Sequence, residues 1–202
     1  MRLKDSSEPT TNLVEKGGAA PTQPLQKTPT VGRLTAAEVN VLLTAWHYLG
    51  PVIGIIAAYG HHEGCCVFTN CRSRHYAKNA CVPVLELARM VGIDNHIWAM
   101  SSLMSQSVKQ LRHDFPEVRR LVTFADPTVG HSGNVYRSAN WIDEGLVPPA
   151  GNPVFWLDNK IISPRTLYDR HGTQARTVMQ EIYGDRLIMR KRQPKRRFIL
   201  NI

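Results

Sequence analysis

Residues 119–127 read RRLVTFADP, an apolar run that stops at an Asp-Pro pair and passes into TVGHSGNVYRSANW, polar, aromatic and punctuated by glycine. A short apolar run bounded by proline reads as a buried strand. Such a strand needs cover on its faces, so the chain must build a sheet with other layers packed on it. The join sets Asp126 at the strand's end, on the floor of a site. GNVYRSANWIDEG then reads as a short helix closed by Gly145, with Tyr136 to Trp141 beside Asp126.

The rest of the ordered chain supplies the layers. In LTAAEVNVLLTAWHYLGP, Thr35 and Glu38 form a T-x-x-E capping box at a helix start, and Gly50-Pro51 is the stop signal. His47 and Tyr48 therefore fall at that helix's C-terminal end, where side chains reach a pocket. The runs VIGIIAAYG and CCVFTN predict a hairpin whose turn contains Gly60 and Gly64. CRSRHYAKNA reads as a polar, basic loop carrying Arg72, Arg74 and Lys78. PVLELARMVG is the next strand; alternation sends Glu86 and Ala88 to one face, Leu87 and Arg89 to the other. An arginine among these apolar residues is expected to line a site rather than snorkel outward.

Apolar residues at 97, 100, 104, 108, 111 and 115 form a helical stripe that Pro116 ends, with Met100 and Met104 read as core. FWLDNKIISPRTLYDRHG suggests a strand, a turn and a short helix. The chain finishes with RLIMRKRQPKRRFILNI, in which Arg190, Lys191, Arg192, Lys195, Arg196 and Arg197 flank Pro194. That tail reads as a basic hairpin or edge strand. The fold class is α/β (α+β), a central mixed sheet with helices on both faces. Residues 1–32, with four prolines and no apolar periodicity, read as a flexible arm ahead of a single domain over 33–202.

A net charge of +9, from 25 Lys and Arg against 16 Asp and Glu, favours a polyanionic partner, nucleic acid ahead of a membrane surface. The loop at 72–78 and the tail at 190–197 are the expected phosphate contacts. No apolar stretch approaches the roughly 20 residues that cross a bilayer. The N-terminus lacks the apolar core of a secretory signal, so the expected location is the cytoplasm of the host cell. Cys65, Cys66, Cys71 and Cys81 lie among His61, His62 and His75, but their spacing matches zinc-ligand pairs poorly. Reduced thiols are expected, with Cys65 and Cys66 pointing to opposite faces of a strand.

The succession WHYLG (46–50), ELAR (86–89), FADPTVGHSGNVYRSANW (124–141), EG (144–145) and KRRFIL (195–200) resembles the Mom family of bacteriophage DNA-modification proteins. The resemblance spans roughly residues 44–202 and is most specific from Phe124 to Gly145. It implies a fold similar to the GNAT N-acyltransferase superfamily. It also implies a transferase that adds a carbamoylmethyl group to the N6 amine of adenine in phage DNA and so protects it from host restriction. GIDNHIWAMSS replaces the glycine-rich CoA-pyrophosphate loop of that superfamily, leaving the donor open between acyl-CoA and another small molecule.

The N6 amine is a weak nucleophile, so it needs a positioned base, a strong electrophile or a metal. The resemblance implies His47 and Asp126 as ligands of a redox metal such as iron, with Tyr48 beside them. It also implies Tyr136 as the acid for the leaving group and Arg89 as the holder of a phosphate or donor carboxylate. His131 is a further base candidate, and Asn140 can read an adenine edge. Trp141 is expected to pack its helix onto the sheet. The adenine is expected to be flipped out or unpaired, and homodimerisation is left open. Two other readings stand beside this one: an acyl-CoA-dependent N-acyltransferase acting on a protein or small amine, and a non-catalytic DNA-binding protein.

Overall fold

A computed structural model describes residues 30–93, 97–148 and 153–202. The capping box forms as the sequence predicts. The Thr35 hydroxyl accepts the Glu38 N–H at 3.3 Å, and the Glu38 carboxylate accepts the Thr35 N–H at 2.7 Å. Helix α1 then runs Ala36–Trp46 and ends on His47, whose backbone is extended.

Seven strands build the main sheet. They are β1 (Gly32–Arg33), β2 (Ile55–His61), β3 (Gly64–Asn70), β4 (Val84–Gly92), β5 (Arg120–Ala125), β6 (Ile142–Val147) and β10 (Lys195–Asn201). The order is β1-β2-β3-β4-β5-β10-β6, antiparallel except where β4 and β5 run parallel. Helix α3 (Ile97–Asp114) covers one face, setting Met104, Val108 and Leu111 against Tyr59, Cys66 and Phe68. Helix α1 covers the other, with Val39 and Leu43 against Ala58, Cys65 and Val67. Each such side chain buried contributes about 1.5–3 kcal/mol, so the two clusters hold both helices to the sheet. Cys65 and Cys66 do point to opposite faces, and burial pushes both thiols up to about 12. No helix among the described residues is long and apolar enough to cross a membrane.

Several local expectations are corrected. Most of the expected arm, 1–32, lies outside the described residues, but Val31 is buried and Gly32 pairs with Gly60 in the sheet. Gly60 and Gly64 belong to the strands, not to the turn, which is His62–Glu63. A Cβ on Gly60 would collide with the Gly64 carbonyl, so glycine is there for close approach. The loop after β3 contains a short helix α2 (Arg74–Asn79), capped by the Ser73 hydroxyl. Helix α4 spans only Asn134–Ser138; Trp141 is buried core, and the residues that follow form β6. Gly145 is a strand residue at φ +87°, beside a register shift between β6 and β10.

The C-terminal third holds more than one strand and helix. β7 (Val154–Leu157), β8 (Lys160–Ile162) and β9 (Leu187–Arg190) form a second sheet, order β8-β7-β9. Helices α5 (Pro164–His171) and α6 (Arg176–Tyr183) pack Leu167 and Met179 onto it against Phe155 and Leu187. The basic tail is therefore no hairpin. β9 belongs to this small sheet, and β10 is an interior strand of the main one, between β5 and β6.

Candidate functional site

The site begins with a defect in β4. On β3, Val67 faces Arg89 while Phe68 faces Leu87, so Ala88 is bulged out of register. The bulge reverses the simple alternation: Leu85 and Leu87 join the core under α3, whereas Val91 joins the core under α1. Arg89 sides with Val91 and not with Leu87, contrary to strict alternation. The same bulge parts β4 from β5. Their pairing runs from Val84↔Arg120 to Glu86↔Val122 and stops there. At the parting point the Thr123 hydroxyl donates to the Leu87 carbonyl at 3.0 Å, standing in for a backbone bond.

A cavity of about 830 Å³ opens between the separated strands. The end of α1 brings His47 and Tyr48 to it, and β4 brings Glu86 and Arg89. β5 adds Thr123 and Phe124, and residues 130–136 add His131 and Tyr136. The approach to β10 supplies Arg192 and Lys195, and Arg72 enters from the loop before α2. Met104 is core as expected, and Met100 packs against that core while also lining the cavity. Thr123 and Phe124 were not singled out in the sequence; a hydroxyl inside the apolar run RLVTFA is the signal that marked the place.

The aromatic side chains are ordered against one another. His47 stacks on Tyr48 at 4.8 Å between centroids, and His131 meets Tyr48 edge-on at 5.2 Å. Burial drives the His47 pKa down to about 3, helped by Arg89 and His131. Its Nδ1 accepts the Leu49 N–H at 3.1 Å, which leaves the proton of the neutral ring on Nε2. His47 is thus a neutral donor. Burial, and then the Asp126 charge, push the Tyr48 phenol up to about 12. The Tyr136 ring packs on Trp141 and Phe198, and its hydroxyl lies 3.3 Å from that of Thr123. Because Thr123 gives its proton to Leu87, Tyr136 is the donor in that pair.

Asp126 ends β5, as predicted, and is 3% exposed. It does not line the cavity; it stands behind two side chains that do. One oxygen accepts the Thr128 N–H at 3.0 Å. The other meets Arg192 at 3.2 Å and Lys195 at 3.1 Å. Burial alone would raise its pKa, but Lys195 and the Thr128 bonds more than offset that and hold it below the usual range. Its role is to position two cations.

This donor set does not fit an iron at His47 and Asp126. Both Asp126 oxygens are engaged, one by two cations, and the accepting nitrogen of His47 is taken by a backbone N–H. Among the described residues no group of three His, Cys, Asp or Glu side chains is arranged to hold a metal ion.

The other expected residues separate. Asn140 is exposed, at φ +61° beyond the end of α4, and does not line the cavity. Arg74 and Lys78 are exposed on α2. Within the tail, Arg196 bonds Asp143 at 2.7 Å, and Arg197 bonds Glu144 at 2.6 Å while lying over the Tyr76 ring. Arg190 stacks on Trp156, and Lys191 is exposed. Much of the tail's charge is thus matched by acidic residues of the chain itself.

A family model described as the Mom protein family matches residues 29–202. No curated protein matches the chain. A solved structure similar to it is an aminoglycoside acetyltransferase, AAC(6')-Ib, in complex with coenzyme A. That likeness has 12% sequence identity and a TM-score of 0.43, and covers 71% of this chain and 99% of that one. The chain belongs to the Mom protein family.

Proposed function

With that membership as premise, we propose that the chain is a transferase that modifies the N6 amine of adenine in DNA with a carbamoylmethyl-type group. The observation that carries the reading is the cavity itself, with aromatic side chains inside and cations around them. Tyr48, Phe124 and Tyr136 offer ring surface for an unpaired base. Arg72, Arg192 and Lys195 suit the phosphates on either side of it.

The side chains divide the chemistry between them. The N6 nitrogen must lose a proton as it forms its new bond. His131 stands at the cavity with its pKa lowered, by partial burial first, so it is neutral and able to accept that proton. His47 offers its Nε2–H to an acceptor on the base or on the donor. Tyr136, a neutral phenol whose pKa burial raises, can protonate the leaving group.

The test is mass spectrometry of nucleosides from DNA of cells expressing the chain, beside cells expressing Tyr136→Phe at equal soluble level. The reading expects a heavier deoxyadenosine with the wild-type chain and at least about tenfold less with the variant. Unmodified adenine beside an abundant, folded wild-type protein would sink it.

A further inference from the structure

Ile53 is 92% exposed, more than any other large apolar side chain among the described residues. A single exposed isoleucine is ordinary on a protein surface; the setting of this one is not. It lies in the segment 47–54 that joins α1 to β2, whose first three residues, His47, Tyr48 and Leu49, line the cavity. The segment is held stiffly. Gly50 and Gly54 stand at φ +63° and +72° with open space where a Cβ would be, so both are glycine for the backbone turn. The Gly50 N–H donates to the His47 carbonyl at 2.8 Å, and the ring of Pro51 fixes its own φ. Val52 is buried in the core under α1, with Val39 and Leu43. The chain thus plants one apolar side chain and projects the next into solvent from the rim of the site.

The end of the sheet from which it projects is basic. β2 starts at Ile55, opposite Thr69 of β3, and Thr69 is opposite Glu86 in the cavity lining. Two strand spacings, about 10 Å, separate Ile55 from Glu86. β3 leaves the sheet at the same end through Arg72, which lines the cavity, and leads to α2, where Arg74 and Lys78 are exposed. An apolar side chain beside such cations suits a polyanion with an apolar interior, which describes a nucleic-acid duplex. Proteins that kink a duplex insert apolar wedges, isoleucine among them, between base steps. A duplex that gives up one base to a cavity has a gap of the same kind in its stack.

We propose that Ile53 is a wedge that enters the stack of duplex DNA and fills the place of the base received by the cavity. The proposal rests on the reading of the cavity as a site for an unpaired adenine. It expects Ile53 to serve duplex DNA alone, because a single strand has no paired stack to hold open.

2-Aminopurine, a fluorescent adenine analogue that is quenched when stacked, is placed opposite thymine in duplexes covering every nearest-neighbour context. The full wild-type chain should raise the fluorescence at least about threefold in one context or more, Ile53→Ser should give less than about a third of that rise, and Ile53→Leu should restore it. Affinity for the matching single strands should stay within about twofold in Ile53→Ser, and Tm within about 2 °C, since nearly all of the side chain is in solvent.

A rise that Ile53→Ser keeps in full overturns the proposal, as does the lack of any rise with wild type. Equal loss of affinity for single strands makes Ile53 a general contact and also overturns it. A wild-type dimer that Ile53→Ser splits, measured by light scattering, would assign the side chain to a second copy of this chain instead. Ile53-dependent fluorescence with no modified adenosine in cells leaves this inference standing and removes the transferase reading. Modified adenosine at an undiminished level with Ile53→Ser does the reverse.

Discussion

Replacing Asp126 by asparagine keeps the side chain's size and the acceptor for the Thr128 N–H but removes the charge that faces Arg192 and Lys195. At their separations of 3.1 and 3.2 Å, each ion pair has a gross Coulomb energy of about 5 kcal/mol at an effective dielectric of about 20. Desolvation cancels much of that. The loss of one partner from a buried pair costs about 3–5 kcal/mol. Arg192 and Lys195 keep 20% and 31% of their side-chain surface in solvent, so they partly rehydrate, and about 2–4 kcal/mol is expected for Asp126→Asn. For a chain of this size that is a fall in Tm of about 5–15 °C. Urea unfolding followed by circular dichroism measures it, and pH supplies an internal control. A carboxyl held below its ordinary value stabilises the fold above the unfolded value of about 3.9, and that stabilisation is lost as pH falls through the folded value. Wild type and variant should therefore differ most near pH 7 and converge below about pH 4. Equal stability at pH 7, or a gap independent of pH, would refute the assignment of Asp126 as the anchor of the two cations.

Two further predictions concern the walls of the site. Gly133 precedes α4 at φ +80°, and a Cβ there would lie 2.5 Å from Cε2 of the buried Phe198 ring. Gly133→Ala should destabilise by about 2–4 kcal/mol in urea unfolding and displace Tyr136; a neutral result would mean that the ring yields freely. His47 weakens the fold in acid in the same sense as Asp126, but in a higher pH window. Its folded pKa is near 3, so below the unfolded value of about 6.5 the unfolded chain takes up a proton that the folded chain refuses. Between pH 6.5 and 5 the wild type should lose about 2 kcal/mol that His47→Gln does not. The check is unfolding free energy against pH for both proteins, and parallel curves would contradict the buried neutral imidazole.

Where local signals and the final fold agree, the sequence is readable. Thr35 and Glu38 satisfy each other within one turn, and the stripe from Met100 to Leu111 depends only on helical repeat, so α1 and α3 are plain. The elements that escape are those decided by partners far away in the chain. Arg196 and Arg197 look like a solvated surface until Asp143 and Glu144, 53 residues before their partners, arrive to pair with them and an interior strand results. The bulge at Ala88 is equally silent, because nothing in ELARM says which residue will be left without a partner on β3. That one extra residue moves Arg89 to the opposite face and parts β4 from β5. His47, Tyr48, Arg89 and Tyr136 do converge, whereas Asn140 lies just past the end of a helix that the sequence suggests is longer.

The small second sheet is linked to the cavity through the connection from β9 to β10. Arg192 in that connection is held by Asp126, the Gln193 N–H donates to the Thr128 hydroxyl at 3.0 Å, and Lys195 returns to Asp126. Three successive contacts thus clamp the segment onto the turn that follows β5. A ligand anion that draws Arg192 or Lys195 inward must compete with a buried carboxylate already bound to them, which weakens any net gain from that side. Arg89 has no such prior partner. The clamped pair fixes the shape of the entrance.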